Sequence, residues 1–162
     1  MKDLIVVSYS PKDTEIIGKA IGKVAPSGSV VLLEGELGCG KTCMTRGIVS
    51  ARGINGEEVS SPSFTIVQEY GDVVHIDLYR LSSQDDVVSI GIEDYLYDGS
   101  VIKVIEWPEV LSESFDLFPF SVIRVICSFD GDKRIFKIYA GENLLFLIEE
   151  NLLSGGVDVQ NS

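Results

Sequence analysis

The stretch VVLLEGELGCGKT, residues 30–42, joins an apolar run to a glycine-rich turn and to the start of a helix. Continuous apolar residues at 30–33 are typical of a strand that is covered on both faces. Residues 35–42 match the pattern G-x-x-x-x-G-K-[ST] at every defined position. A strand, a phosphate-binding turn and a helix in this order predict a parallel α/β sheet.

The turn has the composition that binding of a phosphate chain requires. Glycines allow backbone angles that direct successive N–H groups inward, and the following helix presents its positive end to an anion. The ammonium group of Lys41 can reach the β- and γ-phosphates, and the hydroxyl of Thr42 can bind Mg²⁺. The sequence contains no Asn-Lys-x-Asp motif for guanine, which favours ATP over GTP. The candidate nucleotide-binding residues of this segment are Gly35, Glu36, Leu37, Gly38, Cys39, Gly40, Lys41, Thr42 and Cys43.

Further elements are predicted on both sides of this segment. Residues 4–7 form a short strand, and Ser10 followed by Pro11 is typical of a helix start. An Asp-Gly-Asp turn at 130–132 predicts a late antiparallel hairpin. The expected fold is therefore a P-loop NTPase-like mixed sheet flanked by helices, in a single domain over residues 1–153 with a flexible tail at 154–162. The remaining predicted strands are 64–67, 73–79, 101–105, 122–129 and 134–139, and the remaining predicted helices are 85–96 and 144–153.

Composition limits the classes of function. The chain has 162 residues, 45% of them hydrophobic, and a net charge of −12, so it gains no general attraction to nucleic-acid phosphate or to an anionic membrane. The longest uninterrupted apolar run, 144–148, is far too short to span a bilayer, and the N-terminus lacks the pattern of a signal peptide. We therefore expect a cytoplasmic protein with no membrane partner. Its three cysteines are expected to be free thiols, with Cys39 and Cys43 near a helix N-terminus.

Two acidic residues could complete a site for hydrolysis. Glu106 ends an apolar strand, where an acid that positions a metal is found in such enzymes, although an exposed strand-end acid is the alternative. Asp77 shares a strand face with His75, and it could position water or a metal, or form an internal ion pair with Arg80. His75 itself is interpreted as a structural residue.

Several segments, taken in order, carry a resemblance to a known family. They are the turn 35–42, Ser61-Pro62-Ser63-Phe64-Thr65, His75-Ile76-Asp77-Leu78-Tyr79-Arg80-Leu81, Gly91-Ile92-Glu93-Asp94-Tyr95 and Glu106-Trp107-Pro108. From about residue 13 to residue 108 the chain resembles the TsaE family of small bacterial P-loop ATPases. The resemblance implies a role in making threonylcarbamoyladenosine at position 37 of tRNAs that read codons beginning with A. It also implies the TsaD–TsaB pair as partners, so that tRNA is reached only through them.

The resemblance also implies roles for single residues. Lys41 and Thr42 belong to the ATP and Mg²⁺ site, Glu106 is a metal ligand, and Asp77 is similar to the family's catalytic or γ-phosphate-side acid. The hydroxyls of a switch region are those of Ser61, Ser63 and Thr65, although an ordinary loop is the alternative. Segments expected to border the nucleotide contain Ser10, Lys12, Trp107 and residues 131–134. Cys39 departs from the usual Ala, and Cys43 stands where Thr or Ser is common.

Two other classes of function remain open. A small-molecule kinase of this size would need a mobile cationic lid, and the sequence contains no Arg-rich segment of that kind. A non-catalytic module that binds nucleotide would show no phosphate release even with its partners present. For the ATPase, Arg46 and Arg80 are candidate arginine fingers within the chain, and a partner could supply one instead.

Overall fold

In the part of the chain that the structure describes, an eight-stranded mixed sheet forms the centre. The computed structural model describes residues 2–36, 38–59, 66–78, 91–110, 117 and 119–160. The strand order is β3-β4-β5-β2-β6-β7-β1-β8. Strands β4, β5, β2 and β6 run parallel, and the remaining neighbours pair antiparallel. The mixed sheet predicted from the sequence is confirmed. The strands are β1 Lys2–Ser8, β2 Val30–Glu34, β3 Val67–Tyr70, β4 Val73–Asp77, β5 Ile102–Glu106, β6 Val122–Asp130, β7 Lys133–Ala140 and β8 Asp158–Gln160.

Four α-helices and two short 3-10 turns accompany the sheet in the described residues. The side chain of Ser10 accepts a hydrogen bond from the Asp13 amide at 3.1 Å, and Pro11 follows as the first helical residue, as predicted. The helices are α1 Pro11–Val24, α2 Lys41–Ala51, α3 Glu93–Leu96 and α4 Glu142–Ser154, and the 3-10 turns are Gly56–Glu58 and Pro108–Val110.

Helices α1 and α2 lie in direct backbone contact. A Cβ atom on Gly18 would collide with the main-chain oxygen of Met44, and one on Gly47 would collide with that of Glu15. Because neither glycine carries a side chain, the two helices approach more closely than side chains would permit. This contact holds the N-terminus of α2 in place over the sheet.

The central strands are covered on both faces. Val31, Leu33 and Val104 face the core beneath α1, α2 and α4, whereas Val30 and Ile105 face a second, smaller core with α3. Strand β4 follows the predicted alternation, with Val74, Ile76 and Leu78 in the smaller core and His75 and Asp77 on the side of α2.

The C-terminal residues differ from the sequence prediction. A flexible tail was expected from residue 154, but Asp158–Gln160 form β8 and pair antiparallel with Ile5–Val7 of β1. Val157 is 8% exposed and packs into the main core, which ties this segment to the sheet. The predicted positions 64, 65, 79 and 85–90 lie outside the described residues.

Across the part of the chain that the structure describes, no helix combines the length and the apolar character needed to cross a bilayer.

Candidate functional site

A glycine loop, residues 35–40, connects β2 to α2 at the carboxyl edge of the parallel strands. Gly35, Gly38 and Gly40 have φ angles of 150°, 81° and 110°. L-residues with a Cβ atom rarely adopt such angles, so the course of the loop requires glycine at these three positions. Leu37 lies outside the described residues.

The first turn of α2 follows the loop directly, and its backbone N–H groups have no capping side chain among the described residues. Gly40 is the N-cap residue in a left-handed conformation, and no described side chain accepts a hydrogen bond from the first turn. Helix N-termini carry partial positive charge, and their first N–H groups need acceptors from outside the helix. Thr42 and Cys43 lie in this turn, each partly exposed. This arrangement is suited to binding an anion.

Lys41 turns back over the loop. Its Nζ atom donates to the Gly35 carbonyl oxygen at 2.6 Å and lies 3.5 Å from the centroid of the Trp107 ring. Burial lowers the pKa of Lys41, while the carboxylates of Glu106, Asp77 and Glu109 oppose that shift. A buried ammonium group is thus present at the loop, facing carboxylates from β4 and the end of β5.

Asp77 and Glu106 lie side by side on neighbouring parallel strands. Their Cα atoms are register partners in β4 and β5, so both side chains point to the face that carries α2. Glu106 is 4% exposed, so it is a buried carboxylate and not an exposed strand-end acid. The structure therefore brings together the two acids and Lys41, which the sequence separates widely.

His75 lies against Glu106. Its Nε2 atom is 2.5 Å from Oε2 of Glu106, and both side chains are almost fully buried. Sequence reasoning interpreted His75 as structural and did not connect it with Glu106. The available signal was that His75 precedes Asp77 by two residues and therefore shares its strand face.

Trp107 closes the side of the site next to Lys41. It has a φ of 60°, a value that is uncommon for a residue other than glycine. This backbone conformation directly follows the end of β5 and accompanies the placement of the indole ring against the ammonium group. Trp107 and Glu36 both line an open groove of about 680 Å³ on the β6 side of the loop.

A second cavity, of about 180 Å³, lies between the glycine loop, the start of α1 and the β6–β7 turn. Ser10 and Cys43 line it, together with Asp132 and Arg134 from the turn region that the sequence resemblance named only loosely. Lys12 is exposed on α1 and does not line this cavity. We call this cavity the α1 pocket; its described lining residues are Ser8, Tyr9, Ser10, Pro11, Thr14, Gly38, Cys39, Gly40, Cys43, Asp132 and Arg134.

The expectation of three free thiols is wrong for two of the cysteines. Cys39 of the loop and Cys127 of β6 form a disulfide across 88 residues, with their Cα atoms 6.2 Å apart. Strand β6 is the parallel neighbour of β2, so Cys127 lies directly beneath the loop that follows β2. Cys43 is free.

Other candidate residues are placed elsewhere or are not described. Arg46 is on α2, and its Nε atom donates to the Val59 carbonyl oxygen at 3.1 Å. The predictions for Arg80 and for the switch hydroxyls of Ser61, Ser63 and Thr65 lie outside the described residues.

Comparison with known proteins identifies the family. The family model described as Threonylcarbamoyl adenosine biosynthesis protein TsaE matches residues 8–134. Proteins named tRNA threonylcarbamoyladenosine biosynthesis protein TsaE are 37% identical in Treponema pallidum (strain Nichols), over 80% of this chain and 96% of that protein, and 34% identical in Bacillus subtilis (strain 168), over 93% and 94%. The crystal structure of YdiB from Bacillus subtilis is similar with a TM-score of 0.68 and 28% identity, covering 94% of this chain and 96% of that one. With its P-loop NTPase-like sheet, glycine loop and paired acids, this chain belongs to the TsaE family.

Proposed function

We propose that this chain is a magnesium-dependent ATPase required for forming the threonylcarbamoyl group on adenosine 37 of tRNAs that read codons beginning with A. It would act with TsaD and TsaB. The observation that carries this proposal is the buried ammonium group of Lys41, held at the glycine loop and facing the carboxylates of Glu106 and Asp77. Names of the relatives support the pathway, and the site geometry supports the chemistry.

The first step is binding of the phosphate chain at the loop. Uncapped amides of α2 and the loop would donate hydrogen bonds to the phosphate oxygens, and Lys41 would exchange its contacts with the Gly35 oxygen and Trp107 for a contact with those oxygens. Burial has already made the charged form of Lys41 less stable in the free protein. An anionic partner relieves that penalty, so the exchange is favourable.

The residues present fit a magnesium ion. Mg²⁺ prefers hard oxygen ligands and binds proteins through one or two side chains plus substrate phosphates. The hydroxyl of Thr42 and the buried carboxylate of Glu106 would hold it, at the mouth of the loop. When bound, the ion neutralises charge that develops on the phosphate oxygens.

Asp77 is the residue proposed to orient the attacking water. Its carboxylate lies beside Glu106 in the strand register, on the side of the sheet that faces Lys41. It would accept a hydrogen bond from the water and direct the oxygen toward the γ-phosphate. Lys41 and the loop amides would stabilise the charge that develops as the terminal phosphate is transferred to water.

The α1 pocket is the proposed site of the adenosine part. It opens beside Gly40 and Cys43 at the start of α2, next to the proposed position of the phosphates. Arg134 and Asp132 supply one donor and one acceptor side chain at its edge. Ser10 and Tyr9 line the opposite side.

Contact with tRNA is proposed to be indirect. The net charge of −12 opposes tight binding to an RNA backbone, so a partner is expected to provide it.

The decisive experiment measures hydrolysis and tRNA modification together. Purified chain should hydrolyse ATP weakly with Mg²⁺, and adding TsaD and TsaB should increase both phosphate release and threonylcarbamoyladenosine formation. Asp77→Asn should keep nucleotide binding and lose hydrolysis, while Lys137→Met, an exposed change on β7, should behave like wild type. Equal modification with and without this chain would contradict the biological role, and transfer of phosphate to a small molecule would indicate a kinase.

A further inference from the structure

We propose that His75 is a positioning residue that holds the Glu106 carboxylate in the orientation in which it binds magnesium. The inference rests on the proposed function and adds a residue to it. Its basis is the contact between Nε2 of His75 and Oε2 of Glu106, at 2.5 Å.

Strand register explains why His75 contacts Glu106 from the side that faces away from the glycine loop. Asp77 is the register partner of Glu106, and His75 is the partner of Val104, two residues earlier on β5. All four side chains share one face, so His75 lies one pair further from the glycine loop than Glu106 does. Glu106 therefore has His75 behind it, Asp77 beside it and the Lys41 charge nearby.

The contact restrains a side chain that has three rotatable bonds. Among the described residues, His75 is the hydrogen-bond partner of the Glu106 carboxylate, through Oε2. Fixing one oxygen leaves the other as the metal-facing atom and removes rotamers that would point it elsewhere. Hydrogen bonds that orient metal-binding carboxylates commonly increase the affinity of the site for the metal.

The other ring nitrogen shows that packing alone does not account for a histidine here. Nδ1 of His75 is buried and has no hydrogen-bond partner among the described residues. Burial of an unpaired polar atom is unfavourable, and an apolar side chain at this core position would avoid it. The bond to Glu106 is thus the interaction that the histidine contributes. A proton on Nε2, with Nδ1 unprotonated, lets the ring donate to the carboxylate.

Two substitutions of similar polarity show whether the hydrogen bond to Glu106 matters, independently of the burial of a polar side chain. The amide nitrogen of glutamine lies as far along the side chain as Nε2 of histidine, whereas that of asparagine lies only as far as Nδ1. His75→Gln should therefore keep the bond to Glu106, and His75→Asn should lose it. His75→Leu removes both the bond and the buried polar atoms.

Trp107 provides a readout that does not depend on turnover. It is the only tryptophan in the sequence, it follows Glu106 directly, and its ring contacts Lys41. Its fluorescence should change when Lys41 moves to a phosphate, and again when Mg²⁺ binds at the neighbouring Glu106. The experiment titrates Mg²⁺ into protein saturated with a non-hydrolysable ATP analogue and measures the half-saturating concentration, with thermal unfolding measured in parallel.

We expect His75→Asn and His75→Leu to raise the half-saturating Mg²⁺ concentration by roughly 10- to 100-fold, while His75→Gln stays within about threefold of wild type. Binding of the analogue in EDTA should be unchanged in all three variants. Wild-type Mg²⁺ dependence in the Asn and Leu variants would overturn the inference and leave the proposed function standing. An absence of analogue binding by the wild-type chain would instead overturn the proposed function.

Discussion

Two buried lysines lie at opposite ends of the parallel strands, and their immediate contacts are similar. Lys41 follows β2 at the carboxyl edge and contacts one main-chain oxygen and the Trp107 ring. Lys103 lies near the start of β5, donates to the carbonyl oxygens of Gly28 and Asp98 at 2.8 and 2.7 Å, and lies 4.0 Å from the Phe120 ring centroid. Burial lowers the pKa of both ammonium groups.

The difference lies in what else faces each charge. Lys103 is fully buried and joins the segments that precede β2 and β5, and the carboxylate of Asp98 opposes the lowering of its pKa. Lys41 faces the carboxylates of Glu106 and Asp77 at a glycine loop with uncapped helix amides. A buried lysine with carbonyl and aromatic contacts is therefore not by itself a sign of function. The surrounding groups that could bind an anion and a cation distinguish the end at which we propose the nucleotide site.

The largest expected effect is on Lys41. Lys41→Met should lower ATP hydrolysis by roughly 10²- to 10³-fold, because the developing phosphate charge loses the ammonium group proposed to stabilise it. The free energy of unfolding should change little, since methionine can keep the contact with Trp107. Phosphate release measures the loss of hydrolysis, and urea denaturation measures the free energy of unfolding. Lys137→Met is the control, and near-wild-type turnover in Lys41→Met would refute the site.

The next largest effect is expected from the disulfide, which lies at the carboxyl end of the parallel strands. Reduction of Cys39–Cys127 should lower the free energy of unfolding by about 2–4 kcal/mol, because the unfolded chain loses a cross-link that closes a long loop. Urea denaturation of a Cys43→Ala variant, with and without reductant, measures it. A Cys127→Ser variant should show no effect of reductant. Superimposable curves for the Cys43→Ala protein would contradict the cross-link.

The smallest effect of the three is expected for Lys103, at the amino end of the parallel strands. Lys103→Met should lower the free energy of unfolding by about 1–3 kcal/mol, because the buried carbonyl oxygen of Gly28 and the part-buried one of Asp98 lose their donor. The rate of hydrolysis per folded molecule should not change. The two lysine variants should therefore differ: Lys41→Met should lose activity and keep its stability, whereas Lys103→Met should lose stability and keep its activity. A large loss of turnover in folded Lys103→Met would break the contrast.

Features encoded in neighbouring residues could be predicted well. Ser10 and Pro11 begin α1 where expected, and the alternating pattern of β4 assigned His75 and Asp77 to one face. These features follow from helix capping and strand geometry, which act over a few residues. The C-terminal segment was mispredicted because a short polar, glycine-containing sequence has little intrinsic preference, and pairing with β1 decides its state.

By itself the sequence determined the glycine loop, the helix that follows it and the acids available to it, because glycine conformations and helix starts depend on local chain chemistry. Only the tertiary structure decided which of these groups meet. The register of β4 against β5 joins His75 to Glu106 across 31 residues, and the β2–β6 pairing joins Cys39 to Cys127 across 88. Such contacts depend on which strands become neighbours, and that choice is made by burial of the whole sheet and not by any short segment.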